Sequence, residues 1–318
     1  MRVLVVGGTG FLGHHVMARL TERGHRTATL TRTPGPATGP AADTVRGDAT
    51  LLTEDDWARL LDGQDGVVFA AGADDRTVPR RPAAAYFEAA NVEPDRRLIG
   101  AARRVGVSRA VILGSYFTAF HRQWPELELA ARHPYIGSRI AQAEVARAVA
   151  GPALPVAVLE IPFVFGATPG RRPLWAGLVP WLMSPRAPLL APPGGTAAVT
   201  VDSVAAAAVS ALEDGLGVDL PVADTNMTWR QLLVRFARAA ERPGPARVGA
   251  LPTGLLRAGV RAAGLGHRLR GLEPGLAPRH LVELLTRELY LEPTGTGDLD
   301  EALRDTVRAS LKPGAASR

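Results

Sequence analysis

Residues 3–13, VLVVGGTGFLG, constrain this chain more than any other segment. A short apolar run of strand type leads straight into Gly7-x-x-Gly10-x-x-Gly13, and a helical pattern follows. Glycines at that spacing permit a tight turn and a close approach of backbone to a pyrophosphate. Free N–H groups at the start of the next helix then favour the negative charge. This strand–loop–helix context separates a dinucleotide loop from an ordinary glycine turn.

The alternation continues along the N-terminal half. Strand-type runs, rich in Val, Ile and Leu, occur at residues 3–6, 27–30, 67–70, 110–113 and 156–159. Residues 12–23, 55–61, 86–105 and 136–150 have helical length and spacing. Strands separated by helices build βαβ units and hence a parallel sheet. Apolar strands without alternation fit a sheet covered on both faces. After Phe165 the texture changes. Residues 167–195 are irregular and rich in Pro and Trp, 200–215 restore a strand-like start and a helix, and 228–318 are mostly helical.

The expected fold is α/β: a doubly wound parallel-sheet Rossmann-type domain with a smaller, mostly helical substrate-binding part. Residues 1–165 plus 196–225 are assigned to the dinucleotide-binding core, and 166–195 plus 226–318 to the substrate-binding part. A length of 318 residues suits one large α/β domain or two coupled ones.

Composition excludes several classes. The chain has no cysteine, which removes disulfides, thiol nucleophiles and thiolate metal sites. No uncharged apolar run reaches the ~18 residues of a membrane span. The opening apolar run is too short for a signal peptide, so a cytoplasmic soluble protein without stable membrane insertion is expected. The net charge is +6, but the charges are interspersed and no nucleic-acid-binding signature appears. The seven histidines show no ligand spacing, so no metal is expected, and no GxSxG elbow is present. His14 and His15 read as an exposed helix face. His121 and His133 read as solvated loop positions, with substrate contact as the alternative.

Several segments, in the correct order, resemble the extended short-chain dehydrogenase/reductase family, also called the NAD-dependent epimerase/dehydratase family. GGTGFLG (7–13) is similar to its phosphate loop, with GxxGxxG in place of the GxGxxG of ordinary Rossmann dehydrogenases. NVEPDRRLIGAARRVGVSRAVILGS (91–115) resembles its fourth helix and fifth strand. HPYIGSR (133–139) falls where the family has Tyr-x-x-x-Lys. LEIPFVFG (159–166) resembles its Arg-Pro-x-x-Val-Tyr-Gly segment, with Glu160 in place of Arg. TVDSVA (200–205) and NMTWRQL (226–232) match its later segments. The resemblance implies a nicotinamide dinucleotide held by Gly7, Thr9, Gly10, Phe11, Leu12 and Gly13. It places Asp48 and Ala49 near the adenine, and Ala70, Ala71 and Gly72 under the cofactor. Asn91, Pro162 and Val164 complete the implied cofactor set with Tyr135 and Arg139.

The second strand ends Leu30-Thr31-Arg32-Thr33. An NAD site usually carries an acid there to bond the ribose 2′-OH. Arg32 in its place favours a 2′-phosphate, hence NADP(H) over NAD(H). At the reaction centre the resemblance makes Tyr135 the proton donor or acceptor. The family's lysine is replaced by Arg139, and the chain's one lysine is Lys312. Arginine supplies charge and ribose hydrogen bonds but stays protonated, so it cannot relay a proton. Ser115 is the candidate for the substrate oxygen, with Tyr116 and Thr118 as alternatives.

Residues 124–135 are expected to wall the substrate pocket. Residues 170–183 supply two tryptophans and an Arg pair, either to close over substrate or to pack. Residues 242–271 carry six arginines and no acid. They read as a solvated helix face with an apolar underside, with an anionic substrate tail or a membrane surface as alternatives. The expected function is NADP(H)-dependent oxidoreduction of the carbonyl or alcohol of a small organic or sugar-derived molecule, by a monomer or homodimer. The alternatives are a redox-neutral epimerase or dehydratase with tightly held cofactor, and a non-catalytic NADP-binding regulator.

Overall fold

Strands that are apolar on both faces need two layers of cover, and the chain supplies both. The computed structural model describes residues 1–33 and 43–312. The first six strands are β1 (Arg2–Val6), β2 (Arg26–Thr31), β3 (Asp43–Arg46), β4 (Gly66–Phe69), β5 (Arg109–Leu113) and β6 (Val156–Glu160). Then come β7 (Phe163–Phe165), β8 (Leu189–Ala191), β9 (Gly195–Thr200), β10 (Asp219–Pro221), β11 (Thr225–Thr228), β12 (Val248–Ala250) and β13 (Glu288–Leu289).

Seven strands form one sheet in the order β10-β6-β5-β4-β1-β2-β3, and every pair in it is parallel. Successive β1 side chains enter opposite layers, as the two-residue period of a strand requires. Val3 and Val5 pack with Val16, Met17 and Leu20 of the helix Phe11–Glu22 and with Val204, Ala205 and Ala208 of Val201–Asp214. Leu4 and Val6 pack with Trp57 and Leu61 of Glu54–Leu61, Leu98 and Ile99 of Glu93–Val105, and Ala143 and Ala146 of Pro134–Ala150. Strand order reverses between β1 and β4. That switch point opens a crevice at the carboxyl ends of the strands, where ligands of open α/β sheets bind.

The helix expected over 86–105 is interrupted. Ala83–Phe87 is α-helical, Glu88–Val92 forms one wider π-helical turn, and Glu93–Val105 resumes the α-helix. Such turns are frequent at functional sites, and this one carries Asn91 inward.

A smaller body stands over the carboxyl edge. In it β9 pairs with β7 and β13 in parallel and with β11 antiparallel, and β8 pairs with β12. Phe165, Leu182, Met227, Phe236 and Leu303 form its core. Its helices include Trp229–Ala239, Thr253–Leu269, Pro278–Leu285 and Leu299–Leu311. Residues 313–318, within the stretch read as mostly helical, lie outside the described residues. No helix among the described residues is long and apolar enough to cross a membrane.

Candidate active site

The glycine loop joins β1 to Phe11–Glu22. Gly7 has φ +87, a conformation that side chains disfavour, and its N–H donates to the Leu30 carbonyl at 2.8 Å. Gly10 N–H donates to the Gly7 carbonyl at 2.8 Å. A Cβ on Gly13 would lie 2.2 Å from that carbonyl oxygen, so this glycine lets the helix sit directly on the loop. Gly13 therefore packs against the loop and does not line the crevice.

The crevice is a cleft of about 890 Å³. Gly7, Thr9, Gly10, Phe11, Leu12, Arg32, Asp48, Ala49, Ala70, Ala71, Gly72, Tyr135, Arg139, Pro162 and Val164 all line it. Asn91 does not. It is fully buried beneath the floor, where its Oδ1 accepts from Ala73 N–H at 2.8 Å and its Nδ2 donates to Ser138 Oγ at 3.0 Å. It fixes the turn after β4.

At one end Asp48 Oδ1 accepts from the Thr50 N–H (3.0 Å) and hydroxyl (2.8 Å). The Thr50 N–H bond, the hydroxyl bond and the nearby Arg32 guanidinium hold this carboxyl below its ordinary range. Above the loop, Arg171 Nε donates to the Thr9 carbonyl at 2.8 Å, and Nη2 to its hydroxyl at 3.2 Å. Arg171 thus clasps the segment a pyrophosphate would occupy. The sequence placed it on the substrate side, because the tertiary fold alone brings residue 171 to residue 9.

At the other end, Tyr135 and Arg139 stand one turn apart on Pro134–Ala150, so they share a face. Arg139 is buried, and its Nη2 donates to the Leu113 carbonyl at the end of β5. Ser115 lies just beyond β5, buried, with its hydroxyl near enough to the Tyr135 phenol to lower its pKa. Burial pushes the Tyr135 pKa up, and the charges of Asp75 and Asp74 add to this. Arg139 and Ser115 pull it down. The Tyr135 ring meets Phe87 and Phe117 edge-on, at centroid distances of 5.6 and 6.4 Å.

The two alternatives to Ser115 are engaged elsewhere. The Tyr116 hydroxyl is 3.3 Å from Thr196 Oγ1, in the smaller body. The Thr118 hydroxyl is 2.7 Å from the Ser115 carbonyl and 2.6 Å from Oε1 of buried Glu160. Arg122 also donates to that oxygen, at 2.7 Å.

Behind Arg139 lies a group the sequence reading passed over. Asp95 is fully buried between Glu93–Val105 and Pro134–Ala150. Neither carboxylate oxygen makes a well-formed hydrogen bond, and Arg139 Nε is likewise unpaired. Burial drives the Asp95 pKa up to about 8, against the pull of Arg139 and Gln142. Its signal was available: an acid at 95 shares the buried helix face with Leu98, Ile99 and Ala102.

Other expectations need correction. Residues 124–134 do not line the cleft: Trp124 stacks on Phe120 at 4.7 Å, and Leu127 and Leu129 are buried. His133 is not solvated. It is buried, its Nδ1 accepts the Ala277 N–H at 3.0 Å, and burial lowers its pKa to about 4. His121 is half-buried rather than solvated. His15 is not a free helix face either, since it reaches Asp202 Oδ1 at 3.2 Å and the Ala167 carbonyl at 3.0 Å. Of the two tryptophans in 170–183, Trp175 lines the cleft and Trp181 packs against the smaller core. Among the described residues no cluster of His, Asp and Glu could hold a metal.

A doubly wound sheet, a glycine loop at its switch point and a tyrosine–arginine pair at the far end of the cleft define a short-chain dehydrogenase/reductase-type enzyme that takes a nicotinamide dinucleotide. The sequence profile of the NAD dependent epimerase/dehydratase family matches residues 3–184, and the chain belongs to that family. It is 30% identical over 259 residues to the 3-diazoavenalumate denitrifying reductase of a Streptomyces species, covering 77% of this chain and 83% of that protein. It is 35% identical over 119 residues to the 3-beta-hydroxysteroid dehydrogenase of Mycolicibacterium neoaurum, covering 36% of this chain and only 32% of that one. The Bordetella bronchiseptica enzyme WbmH, solved with NAD+, superposes with a TM-score of 0.70 at 15% identity over 99% of both chains, a likeness of fold.

Proposed function

We propose that this protein is an NADP(H)-dependent reductase of a small, largely apolar organic carbonyl compound, equally able to run the reverse alcohol oxidation. The observation that carries the reading is the convergence of Ser115, Tyr135 and Arg139 at the end of β5, at the opposite end of the cleft from Arg32.

The cleft suits a dinucleotide. Gly7 and Gly10 leave its floor bare, and Arg171 adds a cation above the loop. Arg32 supplies a second cation where a 2′-phosphate would lie. A bound reduced nicotinamide supplies a hydride to the carbonyl carbon. The chain's own groups do the rest. Ser115 donates a hydrogen bond to the carbonyl oxygen, and Tyr135 gives that oxygen its proton, so the product is the alcohol and the enzyme is left as tyrosinate. Arg139 stabilises the tyrosinate by charge and cannot itself pass on a proton, so bulk water reprotonates Tyr135. Tyr86, Ile161, Phe163, Leu174 and Trp175 line the cleft, which favours an apolar substrate body.

The reading has a relative at its back: the Streptomyces protein matched over most of its length is named a reductase. The test is cofactor oxidation by purified protein with a panel of aryl and alkyl carbonyl compounds. Stoichiometric consumption of NADPH with alcohol formation is expected. Turnover of a substrate isomer without net cofactor consumption would move the redox-neutral reading ahead.

A further inference from the structure

The helix Thr253–Leu269 contains no buried residue. At 3.6 residues per turn its side chains sort into three stripes. Leu256, Val260, Gly264 and His267 are half-covered and face the protein. Arg257, Arg261 and Arg268 form an exposed basic stripe. Leu255, Ala258, Ala262, Leu265 and Leu269 form a third, spaced by three and four residues and turned outward. The exposures of Leu255, Leu265 and Leu269 are 63%, 58% and 79%. The stripe is about 21 Å long at 1.5 Å per residue. The apolar residues expected beneath this helix therefore lie largely on its outer side.

Such a face requires an occupant. Residues 34–42, PGPATGPAA, and 313–318, PGAASR, hold no Leu, Ile, Val, Met or aromatic side chain with which to cover it. A second copy packed antiparallel across this face would bring its own arginine stripe alongside this one. The surrounding charge is one-sided: residues 242–271 carry six arginines and no acid.

We propose that Thr253–Leu269 is an in-plane anchor that seats the protein on an anionic lipid surface. Leu255, Leu265 and Leu269 enter the headgroup–acyl boundary, and Arg257, Arg261 and Arg268 pair with lipid phosphates. An outward apolar stripe flanked by arginines is the arrangement an interfacial helix needs. The attachment is peripheral and reversible, since no helix among the described residues spans a bilayer. It is independent of the reaction proposed above, because none of these side chains lines the cleft.

Co-sedimentation of the full chain with vesicles tests this. One set is phosphatidylcholine alone, the other phosphatidylcholine mixed with phosphatidylglycerol, at ~0.05 and ~0.5 M salt. Binding is expected only to the phosphatidylglycerol vesicles and to weaken at the higher salt. Each arginine near an anionic surface is worth about a fivefold change in affinity, so Arg257→Ser/Arg261→Ser/Arg268→Ser should weaken binding roughly a hundredfold. Leu255→Ser/Leu265→Ser/Leu269→Ser should weaken it at least about tenfold. Both triple variants should keep the wild-type melting temperature and cofactor affinity. The proposal is overturned if wild type ignores phosphatidylglycerol vesicles, or if neither triple substitution changes binding. It is equally overturned if wild type sediments as a dimer that the leucine substitutions dissociate, which would make a second copy the occupant.

Discussion

Asp95 faces Arg139 from the neighbouring helix, both inside the protein, and the two form no ion pair within 4 Å. Arg139 therefore comes with a buried acid behind it. Burial keeps that acid protonated up to about pH 8, so the pair is not a simple salt bridge.

The pH dependence of stability follows from the sign of this shift. In the unfolded chain Asp95 ionises near pH 4, and in the fold at about 8. The folded state thus binds the extra proton, and stability is lost as pH rises through that window. His133 acts oppositely: burial lowers its pKa to about 4, so its contribution is lost as pH falls below ~6.5. The diagnostic range is therefore pH 6.5–8.5, approximately, where His133 is silent. Asp95→Asn should be more stable than wild type at the top of that range, by a few kcal/mol on the order of 2–4, with a smaller gain at its foot. Urea unfolding at several pH values checks this. Parallel curves for the two proteins would contradict it.

Arg139→Lys should keep or raise kcat, since lysine restores the family's group on the same helix face. Arg139→Ala should lower kcat sharply and raise the apparent pKa of Tyr135, because the guanidinium is a charge that pulls that pKa down. A kcat–pH profile of the three proteins separates these effects. An unchanged profile in Arg139→Ala would show that the guanidinium does not act on the phenol.

Much of this was legible in the sequence. The strands β1, β4, β5 and β6 each carry an uninterrupted apolar run, β2 alternates Thr with Ala and Leu, and the loop glycines announce themselves by spacing. β3 and β10 were not legible: DTVR has every residue exposed, and DLP is three residues long and half-covered. Edge strands formed by pairing alone leave no apolar signature. The break at Glu88–Val92 was hidden because a π-turn changes the hydrogen-bond count and not the residue types. Arg171 and His133 gained their roles from contacts 162 and 144 residues away in sequence.

The proposed cofactor preference rests on Arg32. NADP(H) should bind more tightly than NAD(H), and Arg32→Ala should weaken NADP(H) by roughly tenfold or more while sparing NAD(H). A charge-assisted contact is worth about 1.5–3 kcal/mol. Asp48 beside Arg32 trims the gain, because it already shares that charge. Fluorescence titrations of both cofactors measure it, and equal affinities in wild type would remove the assignment.

Arg171→Ala should weaken both cofactors alike, by roughly tenfold, because Thr9 belongs to the loop that holds the part they share. A loss confined to NADP(H) would place Arg171 at the 2′-phosphate instead.

Tyr135 is the group proposed to exchange a proton with the substrate oxygen. Tyr135→Phe removes one hydroxyl from a buried ring that Phe87 and Phe117 already hold in place. The decisive measurement is kcat for carbonyl reduction by this variant, alongside its cofactor dissociation constant. A kcat lower by about 10²–10⁴-fold with cofactor affinity unchanged is expected. A fully active Tyr135→Phe enzyme would contradict it.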